Sequence, residues 1–428
     1  MGHTVNQRTP KNRPGTGRTR KLSHLSLAAP PAENDPADGA DSLPDNLVRL
    51  LMTQAESLVD EDDPIQAELW CSDVLGAVWA ATDGDPDAEE TFTYAWLAAA
   101  QADGPDREAA LCSLTALGTM AGSPGVRADA AAAADRLVRN GVHRPRWAEA
   151  VEPLTVGECW RYGDVFGDQE TILCSFNRQD REHAMLVLVD YTLGGLAKDV
   201  FFTDAVAGSI DDLRYELTGT PVAFLDPIEP AAARRRLEQA FLVTDELIDP
   251  RINDNLAPHR AMALARIRRL PASPEETAAP SAPTAPEALV EEFLAAGEAA
   301  GLPDAELARR WADLLVGRAL ERNDQPTRVG PGMLDEFLLV DVPDHAVLDA
   351  AAKRAMPAVL SAWTRWAGRR QGLSVVATDW LENALGEILE EFPEAYRDQD
   401  AIAHRNSCPD TVDLRTRPLS LCEDLPRL

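Results

Sequence analysis

No apolar run in this 428-residue chain approaches the roughly 18–20 residues that a membrane-spanning helix needs. The stretch behind the basic residues Arg18, Arg20 and Lys21 is broken by Ser23, His24 and Ser26 and ends in Pro30 and Pro31. It therefore lacks the roughly 7–15 continuous apolar residues of a secretion signal. Cysteine is sparse: Cys71, Cys112, Cys159, Cys174, Cys408 and Cys422 are widely spaced, most of them inside apolar segments. That pattern argues against a disulfide framework and predicts reduced, buried thiols in a soluble cytoplasmic protein. Nucleotide-binding and nucleophile signatures are missing too. The chain has no Walker loop, no G-x-S-x-G elbow and no G-x-G-x-x-G behind a strand.

Hydrophobic residues make up 45% of the chain, enough to bury a sizeable core. Formal net charge is −30, unevenly spread. Residues 1–32 hold six Lys/Arg and no Asp/Glu, so the remainder carries −36 (−30 less +6). Such a body repels phosphate backbones, which disfavours nucleic-acid binding outside the basic tail. The tail itself lacks interleaved aromatics and reads as a solubilising segment.

The predicted fold is mainly α with a small antiparallel β-sheet. Residues 1–41, rich in Pro, Gly, Thr, Asn and Arg, form a disordered tail. Residues 42–141 repeat helical periodicity between turn signals, giving a five-helix bundle or short α-solenoid. Residues 142–270 are an α+β domain. Within it the spacing predicts a meander of strands 169–177, 183–190 and 196–203, with the doubly apolar Met185–Val189 run in the central strand. The Gly163–Glu170 stretch is read as a loop at one sheet edge. Residues 271–286 form a Pro/Ala linker, and 287–393 a helical domain with Trp363 and Trp366 in its core. Pro357 is expected to start a helix and Pro393 to stop the next one. Residues 394–428, with little periodicity, read as a loose tail.

Four groups of residues are candidates for chemistry. Asp164, Asp168 and Glu170 alternate with glycines, as in an oxygen-ligand metal loop, but the spacing is not that of an EF-hand, and aspartates capping a polar turn are the preferred reading. His183 and Asp190 bound the central strand, and Lys198 lies across the next turn. Leu196 stands where an acid-x-Lys pair would need an acid, so a cross-strand Asp190–Lys198 ion pair is the simpler reading. Arg234, Arg235, Arg236, Arg266, Arg268 and Arg269 are possible anion contacts in an acidic chain, or partners for nearby carboxylates. His404, Cys408 and Cys422 lack the close ligand pairs of a four-ligand zinc site, so no metal or cofactor is assigned.

The segment from Trp147 to Phe202, with CWRYGDVFGDQETILCSF and HAMLVLVDYTLGGLAKDVFF, resembles a recurrent segment of proteins from high-GC actinobacteria. MPAVLSAWTRWAGRRQGL (Met356–Leu373) is similar to a helical piece of the same family. The resemblance implies a cytoplasmic protein with no assigned activity and transfers no catalytic residues. The expected function is a non-enzymatic binding or scaffold protein that presents helical surfaces to protein partners. The alternative is a metal-dependent enzyme or nucleic-acid-processing factor built on the carboxylates at 163–199.

Overall fold

The computed structural model describes residues 43–102, 106–149, 153–179, 181–272, 285–323, 325–409 and 411–414. The basic tail, most of the Pro/Ala segment and Cys422 lie outside these. Aspartates start the early helices. After α1 (Leu43–Ala55), Asp63, Asp85 and Asp106 each accept from a backbone N–H of the first turn of α2 (Pro64–Ala81), α3 (Pro86–Gln101) and α4 (Arg107–Met120). α5 (Pro124–Arg139) begins after Ser123, whose hydroxyl donates to Glu90 (2.9 Å) and leaves the helix end uncapped by that side chain. These helices close around Trp70 and Trp96, edge to face at 5.7 Å. Trp147, in the short α6 (Arg146–Glu149), is buried against them and donates to the Leu58 carbonyl (2.9 Å).

A five-stranded antiparallel sheet follows: β1 (Leu154–Asp164), β2 (Gln169–Arg178), β3 (Arg181–Asp190), β4 (Leu196–Thr203) and β5 (Ala223–Pro227), ordered β4-β3-β2-β1-β5. The expected meander is present, with Ile172 opposite Val187 and Val187 opposite Val200. Two further strands extend it, so β2 rather than β3 is the middle strand. Gly163–Glu170 is a correction: it is the tip of the β1–β2 hairpin, with Gly163 paired to Glu170, and not an edge loop. β1 escapes pattern reading because most of its residues are only half-buried and alternate weakly.

One sheet face lies under α8 (Pro230–Glu246) and α9 (Leu256–Ile267), which bring Leu237, Phe241 and Ile267 against Cys174, Met185, Val187 and Val200. The other face is partly covered by α7 (Val206–Leu217) through Val206 and Ile210. α9 also belongs to the N-terminal helical core, because Met262 and Ala265 pack there. Gly76 makes this approach possible: a Cβ there would come within 1.9 Å of the Ala257 carbonyl oxygen.

The C-terminal helices are α10 (Pro286–Ala295), α11 (Ala305–Asn323), α12 (Pro331–Glu336), α13 (Val342–His345), α14 (Ala350–Gln371), α15 (Val375–Ala395) and α16 (Gln399–Ser407). Trp363 and Trp366 are 2% and 3% exposed and meet Phe293 at 5.1 and 5.6 Å. Both proline expectations are corrected: Pro357 sits inside α14 and Pro393 inside α15. Asp349 caps α14 two turns before Pro357, and the proline is exposed, away from the buried Trp face. The tail reading is also corrected. α16 forms, and Val412–Asp413 (β7) pairs in parallel with Ala346–Val347 (β6), placing Leu414 fully inside. Phe166, from the β1–β2 tip, and Val222 join the same core as the C-terminal helices. No helix among the described residues is long and apolar enough to cross a membrane.

Candidate functional site

Two cavities gather the charged residues singled out above. The first is a cleft of about 490 Å³ at the end of the sheet, and Asp164, Asp168, Glu170, Asp190 and Lys198 all line it. α12, Arg251 and Trp380 supply the opposite wall. The predicted carboxylates therefore do line one cleft, yet each is held by the fold. Asp164 accepts from the backbone N–H groups of Gly167 (2.7 Å), Asp168 (3.1 Å) and Gln169 (3.1 Å), closing the hairpin tip. Gly167 there has φ of 79°, a backbone that favours glycine. Asp190 accepts from Lys198 (2.6 Å) and Gln169 (2.7 Å) with one oxygen, and from the Thr192 N–H (3.0 Å) and hydroxyl (2.6 Å) with the other. The expected Asp190–Lys198 pair is thus formed. Glu170 accepts from Arg236 (2.7 Å) and from the Tyr191 hydroxyl.

Asp168 differs from these. It is 6% exposed, and its Oδ2 accepts from the Gly332 N–H (2.6 Å) at the start of α12. Its Oδ1 has no partner. Burial, and next the neighbouring Asp164, push its carboxyl up to about 7 against the pull of the Gly332 and Met333 N–H groups. Among the described residues, the only group of three or more His, Cys, Asp or Glu with ligand atoms within 4.8 Å of one another lies elsewhere, at His345, His404 and Cys408.

His183 is not part of the cleft. It lies near the opposite end of β3 from Asp190, about 23 Å away along the strand at roughly 3.3 Å per residue. There it stacks on Phe176 (5.7 Å) and its Nε2 accepts from Arg266 Nε (3.0 Å). Burial, and next Arg266, hold its pKa down at about 3, so the ring is neutral. Cys174, on the neighbouring strand, faces Cys159 across β1 and β2.

This end of the sheet forms the second cavity, about 430 Å³, where the sheet meets α4, α5 and α9. Glu68 (1% exposed) lies between Arg178 (4%) and Arg266 (2%). Both guanidiniums bind it in fork fashion, at 2.7 and 3.0 Å from Arg178 and 2.5 and 3.3 Å from Arg266. Burial alone would raise the Glu68 carboxyl, but the two arginines outweigh it and bring the pKa to about 2. Arg127, Arg268 and Arg269 complete the lining. Five arginines and one carboxylate thus line the cavity, and two of the five bind that carboxylate. Arg268 registers the excess: burial, and next Arg127, push its pKa down to about 10. Arg178 Nε is buried with no partner.

Of the six arginines predicted as anion contacts, Arg266, Arg268 and Arg269 reach this cavity. Arg234 and Arg236 do not. Arg234 binds Glu238 and the Leu270 carbonyl (both 2.8 Å), and Arg236 binds Glu170. Arg235 is on the same helix and exposed. Arg127 and Arg178 escaped the sequence reading because each is a single basic residue in an unremarkable stretch. Only the docking of three distant elements brings them to the cluster. Comparison with known proteins finds no match: no family model fits the chain, and no curated protein or solved structure is significantly similar to it.

Proposed function

We propose that this is a binding protein whose ligand is a small polyanion, a phosphate ester or polycarboxylate, taken into the arginine cavity between the helical bundle and the sheet. One observation carries the reading: a cavity with five arginines and one carboxylate in a chain of net charge −30. Guanidinium forks match phosphate and carboxylate oxygens, and a partly enclosed cavity screens the attraction less than open solvent does. Arg178 and Arg266 are committed to Glu68; Arg127 donates to the Ala121 (2.7 Å) and Gly122 (2.6 Å) carbonyls through Nη1 and Arg268 to the Thr119 carbonyl (3.3 Å) through Nη2, so the remaining N–H groups of Arg127 and Arg268 are the ones offered to the ligand. The cavity volume suits a small molecule, and the chain's net charge of −30 works against a nucleic-acid backbone. Four buried free cysteines support a reducing, cytoplasmic setting.

The test is a thermal-shift and calorimetric screen with pyrophosphate, nucleoside triphosphates and citrate on wild-type protein and on Arg127→Ala and Arg268→Ala. A true ligand at a hundred times its Kd stabilises by about 2.7 kcal/mol. Loss of one charge-assisted contact weakens binding about 10–100-fold. If none of these anions shifts the melting point, or the variants respond like wild type, the reading fails.

A protein-partner role has its own support. Val375, Val376 and Trp380 on the first turns of α15 are 77%, 53% and 38% exposed, an apolar strip beside the carboxylate cleft. The metal-enzyme alternative has less in its favour, since Asp164, Asp168, Glu170 and Asp190 each already have a backbone or side-chain partner.

A further inference from the structure

We propose that His345, His404 and Cys408 form a binding site for a zinc-class divalent metal ion. His404 and Cys408 are four residues apart at the C-terminal end of α16, and the Cys408 N–H still donates to the His404 carbonyl (2.9 Å). The helical turn therefore continues through the cysteine, and that spacing stacks the two side chains on one face. His345 is the last residue of α13, which packs against α16. One ligand atom from each of the three residues lies within 4.8 Å of the other two. The two imidazoles meet edge on, 5.4 Å between centroids and 79° between planes.

The surroundings favour coordination. His345 Nδ1 is 3.2 Å from the Asp341 carbonyl oxygen. With Nδ1–H donating there, the Nε2 lone pair is free for a metal, as ligating histidines are commonly oriented. Arg405 donates to the Pro343 carbonyl (2.7 Å), and Thr411 donates to the carbonyls of Arg405 (2.9 Å) and Cys408 (3.0 Å). These bonds and the β6–β7 pairing hold the two ligand-bearing segments together around the site. Zinc binds imidazole at about 2.0–2.1 Å and thiolate at about 2.3 Å, so ligand atoms in a tetrahedral site stand about 3.3–3.8 Å apart. Closing from 4.8 Å takes side-chain adjustment of about an ångström, within reach of half-exposed residues. Two nitrogens and a thiolate select zinc, cobalt or nickel over magnesium or calcium. Three protein ligands leave a fourth position for water or an external group. Binding would fasten α16 and the β7 segment to the C-terminal core.

The test uses the full chain stripped with chelator and titrated with Co²⁺ and Zn²⁺. Wild-type protein is expected to bind one ion per chain, with the near-ultraviolet thiolate-to-cobalt charge-transfer band. Cys408→Ser should remove that band, and His345→Ala and His404→Ala should each lower affinity more than the roughly 10–100-fold typical of outer-shell changes. A circular dichroism spectrum matching wild type shows that each variant is folded. The proposal is overturned if wild-type protein binds no cobalt with thiolate character, or if the folded variants bind it as tightly as wild type.

Discussion

Asp164 and Asp168 are four residues apart in one hairpin tip, yet the fold treats them oppositely. Asp164 collects three backbone N–H donors. Asp168 is buried beside it with one oxygen unpartnered and a carboxyl pushed up to about 7. Because this folded-state value lies above the unfolded one, the contribution to stability is fully present below about pH 4 and is lost as pH rises through 7. Asp168→Asn keeps an acceptor for the Gly332 N–H and removes the charge. The stability difference, wild type minus variant, should therefore fall by up to about 4 kcal/mol between pH 4 and pH 8, taking 1.36 kcal/mol per unit. Urea denaturation across that range measures it, and a difference that does not change with pH would contradict the account. The Gly-Asp spacing made a polar turn legible. It could not tell the two aspartates apart, because the difference comes from α12, which begins at Pro331, far along the chain.

At the scale of elements, the central strands were legible because their apolar alternation is strong, and β1 was not because its faces are half-polar. α14 shows the opposite error. A proline lacks the N–H of the helical ladder and crowds the preceding turn, so local preference ends the helix there. The Asp349 cap and the burial of Val359, Leu360, Trp363 and Trp366 on one face override that preference. Pro357→Ala restores the missing donor at an exposed position and should raise stability by about 1–3 kcal/mol. An upward shift in the denaturation midpoint checks this. A lower midpoint would mean that the proline shapes a bend the packing requires.

At the scale of the molecule, the C-terminal helices are joined to the sheet by a shared core and by directional bonds. Phe166 enters their core, the Gln371 side chain donates to the Phe166 carbonyl (2.7 Å), and Arg322 donates to the Thr192 carbonyl (2.7 Å). Cutting the chain at a protease site engineered within 273–284 should therefore leave two fragments that co-elute in size-exclusion chromatography. Fragments that separate without denaturant would show that this contact is weak. The sequence alone determined the mainly helical class, the antiparallel meander and the acidic balance, because periodicity and turn residues act between neighbours a few positions apart. The tertiary structure alone decided that His183 is buried away from the carboxylates, and that arginines from separate elements share one cavity. The reason is distance along the chain: Glu68 meets Arg178 across 110 residues and Arg266 across 198, so the cluster exists only once the bundle, the sheet and α9 have packed together.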